Sequence, residues 1–153
     1  MKTIDKITVF DAVQRLTSIH PDYMNRPIQD GFNWTACFDG LYPGEWYLIV
    51  FRSRHRQNID IALLNEHDER ALGAARASAG FVGYFVGTAN EQGDCLSFCF
   101  WESQAQARLA AAQPAHQAAQ QLAFEMYEHF QLERYRLRTT GDLGQETLIF
   151  ERL

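Results

Sequence analysis

Trp46-Tyr47-Leu48-Ile49-Val50-Phe51-Arg52-Ser53-Arg54 is a run of aromatic and β-branched residues. In a strand, successive side chains point to opposite faces. Trp46, Leu48 and Val50 would share one face, and Tyr47, Ile49 and Phe51 the other. Both sets are apolar, so the run predicts a central strand covered on both sides.

Downstream, Asp60 to Ala77 mixes Ile61, Leu64 and Leu72 with charged residues at helical spacing, with Asn58 or Asp60 placed to cap, and it ends near Ser78-Ala79-Gly80. Two β-type runs follow, Phe81 to Gly87 and Cys95 to Trp101. The residues between them include Asn90, Gly93 and Asp94, which supply turn chemistry for an antiparallel hairpin. Ser103 then precedes an alanine- and glutamine-rich helix reaching about Phe124, which Pro114 divides at Gln113. Tyr127 to Arg138 reads as a further strand, and Thr147 to Phe150, after a Gly141-Asp142-Leu143-Gly144 turn, as a short edge strand.

The order is β-α-β-β-α-β, the split βαβ pattern of an α+β, ferredoxin-like domain with an antiparallel sheet. Helices stack on one face of such a sheet. The other face, if apolar, needs a cover, and a two-fold partner completing a dimeric α+β barrel would supply one. The competing cover is the N-terminal extension, residues 1–45, which precedes the domain at 46–153. Ile7, Val9, Phe10, Val13 and Leu16 suggest a short helix, or a strand and a helix, ended by His20-Pro21. Pro21, Pro27, Gly31, Gly40, Pro43 and Gly44 then break up a segment carrying Phe32, Trp34, Phe38 and Tyr42. Those aromatics are too apolar for a free tail and are expected to dock on the domain or on a partner.

The composition sets outer bounds. The 153 residues, 46% hydrophobic and 22% charged, suit one folded domain. Fourteen Lys and Arg against nineteen Asp and Glu leave a net charge of −5, which disfavours nucleic acid as a partner. No apolar run follows Met1 to Lys6 as in a secretory signal, and there are no 18 consecutive apolar residues, so a cytoplasmic protein with no membrane partner is expected. Cys37, Cys95 and Cys99 are a sparse, odd set. On one strand Cys95 and Cys99 would stand roughly 13 Å apart, beyond disulfide reach, so they are expected to be buried thiols.

The element order, with Ala79-Gly80-Phe81 opening the second strand, Trp101-Glu102-Ser103 leading into the second helix and Pro114-Ala115-His116 within it, resembles the dimeric α+β barrel superfamily. The nearest look-alike is its antibiotic-biosynthesis-monooxygenase-like group, and the resemblance spans about residues 46–138. Members include cofactor-free oxygenases of polyketide quinones, haem-degrading enzymes and small-molecule isomerases, so the fold alone fixes little chemistry. The resemblance implies a homodimer with a ligand cavity in each subunit between sheet and helices. Haem-degrading members carry an Asn on the first strand and a Trp and a His on the second helix. Here only His116 matches, which disfavours haem.

Several residues carry candidate chemistry. His116, after Pro114, can act as a base near neutral pH, bind a ligand, or hydrogen-bond across a dimer. Tyr84 and Tyr127 can donate protons to a substrate oxygen or simply fill the core. Trp101 can stack on an aromatic ligand or serve as core. Arg52, Arg54 and Arg56 alternate along one face with His55 on the other, a row suited to a carboxylate or phosphate, or to salt bridges at a strand end. Glu66, His67, Asp68 and Glu69 are neighbours on a helix and point in different directions, so no metal site is expected. Gly-x-Gly-x-x-Gly, phosphate-loop, Cys-x-x-Cys and Gly-x-Ser-x-Gly motifs are all missing, and no cofactor is expected.

Two functions fit. One is a cofactor-free, monooxygenase-like oxidoreductase acting on an apolar or aromatic compound, with His116 and Tyr84 catalytic and Trp101, Arg52, Arg54 and His55 binding. The other is a non-enzymatic ligand-binding or dimerisation module. A cavity of several hundred Å³ with converging polar groups separates the first from the second.

Overall fold

The structure is a computed structural model that describes residues 8–41, 43–140 and 148–153. Ile7, Tyr42, the turn at 141–144 and Thr147 lie outside the described residues. The elements are helices α1 (Val9–Gln14), α2 (Trp34–Phe38), α3 (Ile61–Arg76), α4 (Gln104–Ala111) and α5 (Pro114–Met126), and strands β1 (Gly44–His55), β2 (Phe81–Phe85), β3 (Asp94–Trp101), β4 (Tyr127–Thr139) and β5 (Leu148–Arg152). Single 3₁₀ turns occupy Tyr23–Asn25 and Ile28–Asp30.

The five strands form one antiparallel sheet in the order β2-β3-β1-β4-β5. The first four reproduce the ferredoxin-like order, and β5 adds an edge. β1 is central, pairing with β3 on one side and β4 on the other, as two apolar faces require.

Local signals set the element ends. The Asp60 side chain accepts from the Leu63 N–H to cap α3, and Ser103 accepts from the Gln106 N–H to cap α4. Pro114 divides the second helical stretch by starting α5 at its first turn, where a missing N–H costs nothing. In the β2–β3 turn the Asn90 side chain accepts from the Gln92 and Asp94 N–H groups, and Gly93 takes φ 86°.

Helices α3, α4 and α5 lie on one face of the sheet, where Tyr47, Cys99, Trp101, Ala107 and Ala110 form a small buried cluster. The larger core is on the opposite face. There Leu48, Val50, Leu96, Phe98, Phe100 and Leu137 are fully buried beneath the chain's own N-terminal segment. Phe32 meets Phe85 and Phe98 edge to face, with ring centroids 4.9 and 5.1 Å apart. Trp34 sits 5.4 Å from Phe98 and 5.1 Å from Phe150, and its indole N–H donates to the Ile28 carbonyl at 2.8 Å. The sheet face that called for a cover therefore has one inside the chain, and of the two covers weighed from the sequence the structure shows the N-terminal segment.

Two details differ from the sequence reading. β1 opens at Gly44, so the segment hands over to the sheet two residues before Trp46. Arg56 does not extend the arginine row, because the register shifts between Arg54 and His55 and β1 ends there. The Arg56 N–H instead donates to the Met126 carbonyl at 2.8 Å.

Candidate functional site

Strand alternation places Ile49, Phe51 and Ser53 of β1 and Cys95 and Ser97 of β3 on the helix side of the sheet, with Tyr84 from β2 and Tyr127 from the start of β4. All seven remain half-buried, whereas their neighbours Leu48, Val50, Leu96 and Phe98 on the other face are sealed. These side chains form a partly open aromatic strip, the crevice beneath the helix layer: Phe51 lies 6.5 Å from Tyr84 and 6.3 Å from Phe130, Tyr127 stacks on Phe130 at 5.7 Å, and Phe130 itself is 44% exposed.

The polar groups in the crevice are few and share an environment. Tyr84 is hydrogen-bonded to Ser97 and Tyr127 to Ser53. Burial pushes both phenols well above the usual tyrosine range, and the Asp68 carboxylate adds to the shift of each. Both stay protonated at any physiological pH and can donate a hydrogen bond. Asp68 comes from the sheet-facing stripe of α3, four residues after buried Leu64 and seven before Ala75, which packs on the helix-side cluster. Asp68 is exposed at the edge of the helix layer, and the partial desolvation it meets there raises its pKa, with the nearby His67 opposing. The Cys95 thiol is likewise pushed up by burial, and Cys99 below it reaches about 12, so neither is a thiolate.

His116 lies on the face of α5 that carries buried Ala123 and Met126. It is half-buried, and burial lowers its pKa, so the imidazole is neutral at physiological pH. Among the described residues no hydrogen bond or ion pair joins it to Tyr84. Trp101 is core: 3% exposed, it meets Phe81 edge to face at 5.4 Å and its indole N–H donates to the Cys99 Sγ at 3.2 Å.

The arginines face away from the crevice, toward the N-terminal segment. Arg52 donates from Nε to Glu133 at 2.6 Å, from Nη1 to the Met24 carbonyl at 2.9 Å and from Nη2 to the Arg26 carbonyl at 2.8 Å. Arg54 makes a two-point pair with Asp94 at 2.6 and 3.0 Å. His55 Nδ1 stands 3.0 Å from the Arg56 carbonyl. The structure thus brings Tyr84 and Tyr127 into one site and places Arg52, Arg54 and Trp101 elsewhere. Asp68, Phe51, Phe130 and the two serines were not singled out as site residues by sequence reasoning. A signal for Asp68 was present, since a carboxylate on the stripe of Leu64 and Ala75 breaks the apolar pattern of α3.

Among the described residues no group of three or more His, Cys, Asp or Glu could hold a metal ion, and no helix is long and apolar enough to cross a membrane.

A family model described as PB2B2.08-like matches residues 2–151. The chain belongs to the PB2B2.08-like family. That match includes the N-terminal segment, so segment and sheet together make up the family's pattern. No curated protein matches the chain. Among solved structures, protein SO0527 from Shewanella oneidensis is 17% identical with a TM-score of 0.53, over 62% of this chain and 94% of that one. SnoaB, a cofactor-independent oxygenase from Streptomyces nogalater, is 14% identical with a TM-score of 0.52, over 67% and 99%. Rv0793 from Mycobacterium tuberculosis is 16% identical with a TM-score of 0.51, over 58% and 91%. These likenesses concern the fold alone, which is ferredoxin-like α+β. Each of those shorter chains is nearly spanned, leaving a third or more of this chain without a counterpart.

Proposed function

We propose that the protein is a small-molecule enzyme of the cofactor-free oxygenase type, acting on an apolar aromatic compound in the crevice between the helices and the sheet. The observation that carries the reading is the aromatic strip of half-buried Phe51, Tyr84 and Tyr127 beside exposed Phe130, with two protonated phenols and the exposed Asp68 carboxylate close enough to raise the pKa of each. The fold shared with SnoaB, a cofactor-independent oxygenase, supports it as an analogy.

The chemistry follows from the protonation states. An electron-rich aromatic substrate reacts with O₂ more readily once it has lost a proton, so such a site needs a base and donors to hold the oxyanion. Asp68, whose charge acts on both phenols, is the acceptor. Tyr84 and Tyr127 donate to the oxyanion. His116, neutral and on α5, is a second acceptor for the same proton.

The test is oxygen uptake on a panel of anthrone-like compounds by metal-free, flavin-free protein, with Tyr84→Phe, Asp68→Asn and His116→Ala alongside. Turnover lost in the first two with the fold intact supports the reading, and His116→Ala decides whether His116 shares the proton. Saturable binding without oxygen uptake would instead favour a ligand-binding module.

A homodimer in the cytoplasm belongs to the same proposal. The free thiols suit a reducing compartment. With the sheet face covered from within, the surfaces left for pairing are the helix layer, where Leu109 and Phe124 are exposed, and the β5 edge. Sedimentation as a monomer at micromolar concentration would remove the dimer and leave the crevice reading standing.

A further inference from the structure

The cover over the second sheet face stops at the 3₁₀ turn Tyr23–Asn25, and beyond it the face changes character. Cross-strand register sets Asp94, Arg54 and His129 in one row across β3, β1 and β4, and Arg52 and Gln131 side by side in the next. These five, with Met24 and Asn25 as a wall, line a cavity of about 220 Å³. That is below the roughly 300–1,000 Å³ of sites for drug-sized ligands, so it suits a small metabolite and not an aromatic polycycle.

Donor geometry decides the class of ligand. Two guanidiniums line the cavity, Arg52 paired with Glu133 and Arg54 with Asp94, so the charges balance and what the pit offers an anion is an unused donor edge. Arg52 is committed, with three bonds to Glu133 and to the segment's carbonyls. Arg54 is not. Asp94 takes its Nε and Nη2, and among the described residues Nη1 has no acceptor. A guanidinium edge pinned by a carboxylate on one side is a rigid, planar donor on the other, which matches a carboxylate or a phosphate. Gln131 and Asn25 add amide donors of adjustable direction.

We propose that this pit binds a small oxyanion, a carboxylate or a phosphate, on the free edge of Arg54, flanked by Gln131, His129 and Asn25. Because Asn25 belongs to the N-terminal segment and the other groups to the sheet, the ligand bridges the two and holds the segment down. The site is on the opposite sheet face from the aromatic crevice and stands or falls independently of it.

The test uses the full chain with propionate and succinate as probes, propionamide as the neutral isostere and phosphate as the tetrahedral anion. Affinity is read from the side-chain amide signals of Asn25 and Gln131 by NMR, together with the thermal midpoint. The expected result is saturable binding of at least one of these anions and no response to propionamide, with the carboxylate and phosphate arms showing which oxyanion the pit takes. Arg54→Gln should weaken anion binding by about tenfold or more, the worth of one charge-assisted hydrogen bond. If that variant misfolds because Asp94 loses its partner, Gln131→Ala serves in its place and should weaken binding with the fold retained. Arg134→Gln, on the other face of β4, should bind as the parent does. No saturable response to any of the anions, an equal response to propionamide, or unchanged affinity in both pit variants would overturn the proposal.

Discussion

Glu133 is 6% exposed, across from fully buried Val50 and beside buried Tyr135 at the edge of the larger core. Burying a charge in such surroundings is costly unless it is fully paired. Glu133 accepts from Arg52 at 2.6 Å and from the Tyr135 hydroxyl at 2.8 Å, and Arg52 passes the connection on to the segment. Burial pushes its carboxyl up, but these bonds and the Arg52 charge outweigh that and leave its pKa below the usual glutamate value. A depressed folded pKa adds stability that is fully present above the unfolded value, near 4.5, and is lost as pH falls through the folded one. Thermal unfolding from pH 7 to pH 3 should therefore cost the parent more than Glu133→Gln. Arg52→Met strands the buried carboxylate and should lower stability at pH 7 by about 3–5 kcal/mol in urea titration. By contrast Tyr84→Phe, which removes one hydroxyl and its bond to Ser97, should cost no more than about 1–2 kcal/mol while abolishing turnover. Arg52 was conspicuous in the sequence, but its role was not. Its partner stands on β4, and nothing in local spacing reveals which residue of a distant strand will lie across from it.

At the scale of elements, the caps and breaks were legible because they act locally. Asp60, Ser103 and Pro114 each sit where the backbone needs them, and the helices begin within a residue of those signals. The strand order was legible as well, since the runs 46–54, 81–87 and 95–101 carry β-type residues without interruption. The short N-terminal helix was less so. α1 spans Val9–Gln14 and is too short to be stable alone, so its existence depends on packing. That packing is tight at one point: a Cβ on buried Gly83 of β2 would come within 2.6 Å of Val13 Cγ1. Gly83→Val should lift α1 from the sheet and destabilise the protein by about 1–3 kcal/mol. Amide exchange at Ala12 and Leu16 should quicken, while β1 and β4 remain protected. Equal protection in the variant would mean that α1 is not held where the structure shows it.

For the whole molecule, the informative quantity is how the two sheet faces are shared out. The sequence pointed to an apolar face in need of a cover and to an aromatic segment in need of a surface, and pattern alone could not say whether the two met within one chain. They meet through side-chain shape: Phe32 inserts among Tyr23, Trp34, Phe85 and Phe98, with ring centroids 4.9 to 5.8 Å away. Phe32→Ala should cost about 3–5 kcal/mol of global stability, measured by denaturant titration, because it opens a cavity at the centre of the larger core. A decorative tail would lose almost nothing.

Native-state hydrogen exchange tests this sharing most directly. The reporters are the Trp34 indole N–H, bonded to the Ile28 carbonyl, and the Ile19 amide, bonded to the Gly31 carbonyl at 2.9 Å, read against the β1 amides of Leu48 and Val50. If residues 8–41 are an integral cover, the segment reporters exchange with an opening free energy close to that of β1 and lose protection together with it in mild denaturant. Rapid exchange of Trp34 and Ile19 while Leu48 and Val50 stay protected would contradict the account.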